Sequence, residues 1–335
     1  MIKGWLLHCR FLSHFALSER DKALEDLEGL SALPDLPRAL ELEHLFDLCN
    51  LANQFSLWDR ISRPLERLEQ LSKETGYSLG LAQAGYFRAA LLINEGKYQE
   101  AVKQYRIALD SARRAGNGDL EAEILNDIGF CHRRMGQDEL GESYYVRSLR
   151  LREKTGNLPG IAESMNNLGL LCQNTKRPKE AEEFLTKALK LETTIGDKMG
   201  AGYTLVNLGY IFTEKKSRHQ AEELFRRALD IRAEIGDNLG LGYCYLQLAH
   251  IAEYQGRAEE LLENSHRCFS SAGDLNGQLQ ARMSLAEILL KSGDSARAAE
   301  IARALSGRIE ACSDGPTRRR YHSLVEKCRE AVPDK

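Results

Sequence analysis

Residues 156–236 read GNLPGIAESMNNLGLLCQNTKRPKEAEEFLTKALKLETTIGDKMGAGYTLVNLGYIFTEKKSRHQAEELFRRALDIRAEIG, one sentence written nearly twice. Gly156, Gly196 and Gly236 stand 40 residues apart, each closing a helix-forming stretch (REKTG, ETTIG, RAEIG). Outward from there, the same step finds Gly116 and Gly76 upstream, and Gly273 follows after 37 residues. A glycine placed after a helix can take the left-handed conformation that ends it, with no Cβ to clash. Five of these glycines precede Asn or Asp: Asn117, Asn157, Asp197, Asp237 and Asp274. A fixed period of this length marks a repeat array, in which each unit buries its apolar face only against its neighbours.

Further columns keep the register. A small residue stands 13 positions after each glycine: Ala89, Gly129, Gly169, Gly209, Ala249 and Ala286. Twelve residues on come Ala101, Gly141, Ala181 and Ala221, and four later the large Tyr105, Tyr145, Leu185 and Phe225, then Ala108, Ser148, Ala188 and Ala228. Apolar spacings of three and four inside each half are helical. Small residues let two antiparallel helices approach, and large ones fill the gap to the next pair. Gly96, Gly136, Gly256 and Gly293 mark the turn within each pair, and Pro178 stands there as a helix-initiating residue.

The pattern Met165-x-x-Leu168-Gly169…Ala181…Leu185…Ala188, repeated as Leu205-x-x-Leu208-Gly209…Ala221…Phe225…Ala228, resembles the tetratricopeptide repeat family. The usual unit is about 34 residues. The longer period here is similar to that of kinesin light chains, polarity adaptors and bacterial signalling sensor arrays, and predicts helices about one turn longer. The resemblance implies an all-α fold, an α-α superhelix forming a right-handed solenoid of about eight hairpins. Residues 1–335 are expected to form one domain: two divergent hairpins over 1–75, six regular repeats over 76–312 and a polar capping helix over 316–332. In the first hairpin, Trp5, Cys9 and Leu12 share one helix and Ala23, Leu24 and Leu27 the next. Trp5, Leu6 and Phe11 there offer a surface for homo-oligomer formation.

Composition excludes several functions. The chain has 335 residues and a net charge of −3, without the basic excess of a general nucleic-acid binder. No apolar run is long enough for a membrane span, and charges interrupt the N-terminal apolar stretch, against a signal peptide. Eight cysteines without a Cys-x-x-Cys pair fit free thiols in a reducing, cytoplasmic compartment. No phosphate-binding loop, dinucleotide fingerprint, zinc motif or nucleophile elbow occurs. The expectation is no catalytic residue, no metal and no cofactor. The Arg318-Arg319-Arg320 run reads as a solvated part of the cap.

The expected function is a non-enzymatic scaffold or adaptor that holds a peptide segment of another protein. The alternative is a regulatory sensor arm or peptide-responsive regulator. The resemblance implies that the first helix of each pair lines a concave groove. Two residues before the small position stand Asp127, Asn167, Asn207 and Gln247, side chains suited to a peptide main chain. The competing reading has this column bonding to the adjacent first helix. Six before the small position are Gln83, Glu123, Glu163, Tyr203 and Tyr243. One after it come Phe130, Tyr210 and His250, and five after it Arg134, Asn174, Glu214 and Tyr254. Tyr203, Tyr210, Tyr243 and Tyr254 are the expected aromatic anchors, with Arg134 and Asn174 completing the candidate groove.

Overall fold

The computed structural model describes residues 7–11, 20–31, 33, 36–54, 57–252, 255–312 and 314–331, and among them every regular element is an α-helix. In chain order these are α1 (helical over 7–11), α2 (Arg20–Ser31), α3 (Arg38–Gln54), α4 (Trp58–Thr75), α5 (Ser78–Asn94), α6 (Tyr98–Arg114), α7 (Gly118–Arg134), α8 (Asp138–Thr155) and α9 (Leu158–Asn174). There follow α10 (Pro178–Ile195), α11 (Lys198–Glu214), α12 (Arg218–Glu234), α13 (Asn238–His250), α14 (Gln255–Ser271), α15 (Leu275–Lys291), α16 (Ser295–Ile309) and α17 (Gly315–Ala331). The fold is an all-α helical repeat. The chain divides into two compact units, Met1–Leu171 and Cys172–Lys335.

The Gly-Asn/Asp pairs work as joints. Gly156 and Gly196 close α8 and α10 in the left-handed conformation, both at φ 74°. The next residue then caps the following helix: the side chains of Asn157, Asp197 and Asp237 accept from the N–H groups of Gly160, Gly200 and Gly240 at 3.0, 2.9 and 2.9 Å. Within the pairs, Gly96, Gly136 and Gly293 turn the chain at positive φ, and Lys176 and Lys216 hold the same conformation at φ 59° and 58°. Gly256 departs from its expected turn. It lies in the first turn of α14, because that helix starts three residues ahead of the 40-residue register set by α12. Pro178 opens α10 as expected.

Each core joins a pair to the first helix of the next. In the first unit, Ala82, Ala101, Tyr105 and Ala108 pack with Ile124, Ile128 and Cys131. In the second, Ala221 and Phe225 pack with Leu248. The small column is needed for this contact: a Cβ on Gly129 would stand 2.9 Å from the Tyr145 ring and 3.1 Å from the Gly141 carbonyl oxygen. Six of the eight cysteines are buried, and all are free thiols. Phe11 is buried, so it is not part of an exposed association surface; Trp5, Leu6 and Leu12 lie outside the described residues.

A second rule of complementary volumes runs along the joints. Four residues before each joint glycine stands a buried side chain, and four after it usually another glycine: Ser72 and Gly80, Arg152 and Gly160, Glu192 and Gly200, Arg232 and Gly240, Phe269 and Gly277. Where the first member is small, Ala112, the second is Leu120. Three of the buried members are ionisable. The Arg152 guanidinium, only 3% exposed, donates from Nη1 to the Gly160 carbonyl at 2.7 Å and to Ser164 Oγ at 2.8 Å, and from Nη2 to Glu163 Oε2 at 3.0 Å. Arg232 pairs with Asp237. Glu192 accepts from Thr204 Oγ1 at 2.9 Å, while its Oε2 has no hydrogen-bond partner.

Burial pushes the Glu192 carboxyl up to about 7, against the Thr204 hydrogen bond and with Asp197 adding to the rise. Its native state therefore holds a proton that the unfolded chain, titrating near 4.3, releases. That contribution to stability is complete at acid pH and is lost as pH rises through 7. Urea unfolding at pH 5 and pH 8 should show Glu192→Gln losing about 2 kcal/mol less than the parent chain over this interval. Equal losses in both proteins would refute the assignment.

At the C-terminal end, α17 stands at the position expected of the cap. Two members of its arginine run are structural. Arg318 donates to the Cys312 and Glu310 carbonyls at 2.6 and 2.7 Å, and Arg320 donates to Glu287 Oε1 and Oε2 at 2.9 and 2.8 Å and to Ser284 at 2.9 Å. The recurring acidic residues of the second helices also tie repeats together, through Arg257–Glu222 at 2.5 Å and Arg297–Glu259 at 3.0 Å. Such exposed pairs contribute little individually.

Candidate functional site

The first helices of successive pairs touch through polar side chains on one face. In the first unit this face belongs to α5, α7 and α9. Tyr86 donates to Glu123 Oε1 at 2.9 Å, and Asn126 donates to Glu163 Oε1 at 2.9 Å. Asn167 Nδ2 donates to Asn126 Oδ1 at 2.9 Å, so this predicted residue bonds the neighbouring first helix, as the competing reading had it. Asp127 accepts from the buried Tyr105 hydroxyl at 2.8 Å and from Asn126 at 3.4 Å. Three carboxylates, Glu123, Asp127 and Glu163, thus share one face. Desolvation lifts Asp127 to about 7, with Glu123 adding to the rise and the Tyr105 hydrogen bond opposing it. Glu123 is raised as well, by desolvation first and then by Glu163, against the Tyr86 hydrogen bond.

Arg134 does not join this group. It donates to the Tyr98 hydroxyl at 3.1 Å and lies over the Tyr98 ring, 5.5 Å from the centroid. Tyr98 opens α6, so the last turn of α7 turns this guanidinium toward a second helix.

In the second unit the face belongs to α11, α13 and α15. Tyr203 is 51% exposed, and the buried Arg232 guanidinium sits 4.3 Å from its ring centroid. Stacking on a fixed cation holds the ring while leaving its other side open. Tyr210 and Tyr243 are half-buried and meet the second helices edge-on, Tyr210 against Phe225 at 5.8 Å and Tyr243 against Phe269 at 4.9 Å. Burial raises both phenols, and Gln247 hydrogen-bonds the Tyr210 hydroxyl. Asn207 is half-buried, one helical turn beyond Tyr203. Met199 and Leu239 are exposed beside the tyrosines, at 47% and 41%. His250 meets Ser284 Oγ at 3.1 Å.

Asn174 is exposed as the last residue of α9. Tyr254 lies outside the described residues. Of the predicted set, the second unit therefore gathers Tyr203, Asn207, Tyr210, Tyr243 and Gln247 on adjacent first helices, and the first unit holds Asp127 and Asn167 in one network. Tyr86, Asn126 and Met199 are additions that the columns did not single out, and Tyr105, read from its column as a gap-filling residue, joins the site through Asp127. The signal for Asn126 was its place three before the small position, which Tyr86 shares. Among the described residues no group of His, Cys, Asp and Glu could hold a metal ion, and no helix is long and apolar enough to cross a membrane.

Residues 120–192 and 202–235 each match a tetratricopeptide repeat family. Among solved structures, the apo form of the quorum sensor NprR from B. thuringiensis is similar at TM-score 0.67 and 15% identity, over 97% of this chain and 87% of that one. A Rap protein complexed with competence and sporulation factor gives TM-score 0.63 and 14% identity, over 98% and 100%. A signal transduction ATPase with a tetratricopeptide repeat sensor from Pyrococcus horikoshii gives TM-score 0.64 and 15% identity, over 95% of this chain and 50% of that one. At these identities the likeness is one of fold. A search of curated proteins finds no match.

Proposed function

We propose that this chain, built of tetratricopeptide repeats, is a non-catalytic recognition protein that holds an extended peptide segment of a partner on its first-helix face. The observation that carries this reading is the exposed Tyr203 ring, fixed from behind by the buried Arg232, with Met199 exposed one turn earlier on the same helix. Large apolar area on a side chain of few rotamers is what binding hot spots use. Nearby amides, Asn207 and Gln247, suit a peptide main chain.

Affinity capture followed by mass spectrometry, comparing the parent chain with Tyr203→Ala plus Asn207→Ala, tests the site. Circular dichroism and the melting temperature of the variant check that the fold is kept, since Tyr203 is exposed and Asn207 half-buried. A specific partner should lose at least about tenfold in affinity. Retention of every partner at parental levels would remove the face from consideration.

A second reading, a peptide-responsive regulator, draws support from the fold shared with the quorum sensor and the Rap complex along almost the whole chain. It requires the bound peptide to change hydrogen exchange far from the site. Protection confined to the contact helices would leave the scaffold reading alone.

A further inference from the structure

One opening of the first unit lies away from the first-helix face of α5, α7 and α9. A cavity of about 590 Å³ is lined by residues of α3 and α4 and by Leu33 and Leu36 ahead of α3. Its apolar wall comes from Leu36, Leu45, Leu48 and Pro64, and Arg38 and Arg63 line it with charge. Neither arginine makes a hydrogen bond or ion pair with any described residue. Glu41 also lines the cavity, but its carboxylate is drawn to Arg67 Nε at 2.7 Å, and Arg67 is not part of the lining. His44 adds no charge near neutrality, because burial first and His8 second push it down to about 4. The result is a half-open space of small-molecule size that combines an apolar strip with two exposed guanidinium groups that no described carboxylate pairs. Guanidinium forks match carboxylates in a bidentate fashion.

We propose that this cavity is a binding site for a small amphipathic carboxylate, a medium-chain fatty acid or a molecule of that kind. The carboxylate lies between Arg38 and Arg63, and the hydrocarbon runs along Leu36, Leu45, Leu48 and Pro64. This site is separate from the proposed peptide face, and neither depends on the other.

The test is calorimetric titration of the full chain with decanoate, with decanol and a decyltrimethylammonium salt as controls. Decanoate should bind saturably with 1:1 stoichiometry, and both controls at least tenfold more weakly. Arg38→Ala plus Arg63→Ala should weaken decanoate at least tenfold without changing the melting temperature, since both side chains are exposed and unpaired. Arg67→Ala should also weaken it, severalfold, by returning the Glu41 charge to the cavity. Absence of saturable binding would overturn the proposal. So would equal binding of decanol, or unaltered affinity in the double variant. Tighter binding of an acetylated peptide ending in Leu than of decanoate would overturn the small-molecule assignment in favour of a protein C-terminus.

Discussion

Arg152→Met should lower the unfolding free energy by about 3 kcal/mol, the range for removing one partner from a buried charged network. The side chain is buried, and its donors satisfy the Gly160 carbonyl, the Ser164 hydroxyl and Glu163. Methionine fills much of the space, so the loss is mainly one of hydrogen bonding. The carbonyl and the hydroxyl would be left in a place water reaches poorly. A double-mutant cycle isolates the steric half of the same joint. A Cβ on Gly160 would approach Arg152 Nε to 2.7 Å, so Gly160→Ala should destabilise the parent chain. In Arg152→Met the thioether chain can bend aside, and the same alanine should be nearly neutral. Urea unfolding followed by circular dichroism measures all four corners. Additive effects would mean that the two positions do not share a volume, and the rule of complementary joints would fall.

Gly209→Ala should destabilise the chain by about 2 kcal/mol, although alanine is the better helix former by about 1 kcal/mol. The reason is distance. The new Cβ would stand 2.5 Å from Phe225 Cε1 and 2.7 Å from Cζ. The ring is 1% exposed and packed among Ala221 and Leu248, so it has nowhere to rotate. The helix α11 would have to move off α12, opening the pair at its narrowest point. Phe225→Leu in the same chain should recover much of the loss, because the shorter side chain vacates the space. Thermal and urea unfolding of the three variants decide the matter. A Gly209→Ala protein as stable as the parent would show that the small column reflects helix spacing of another origin.

Much of the fold was legible because a repeat states its rules several times. The glycine period gave the helix ends, and the small and large columns gave the faces that meet. Gly256 shows the limit: its column predicted a turn, but α13 is short and α14 begins early, so the residue became helical. Lys176 and Lys216 show the converse, since neither is a residue that announces a left-handed turn. They adopt it because the pairs on either side fix the chain's path.

The candidate site was legible only in part. Period and column assign a residue to a helix face, which is why Tyr203, Asn207, Tyr210, Tyr243 and Gln247 were found. They do not assign a partner. Asn167 meets Asn126 and not the Asp127 of its own column, because contacts between adjacent first helices join different columns, as Tyr86–Glu123 and Asn126–Glu163 also do. Arg134 shares a column with Asn174 yet lies on Tyr98, since the last turn of α7 faces the start of α6.

Taken alone, the order of amino acids determined where most helices end at the repeated glycines, and which positions must be small. Those are local matters, set by backbone conformation and side-chain volume within one turn of helix. Tertiary structure alone decided that Arg152, Glu192 and Arg232 are buried, that Tyr203 rests on a cation, and that Arg38 and Arg63 line one opening beside Leu36, Leu45, Leu48 and Pro64. These outcomes depend on which side chains from distant repeats exclude water from one another, and no local pattern records that exclusion.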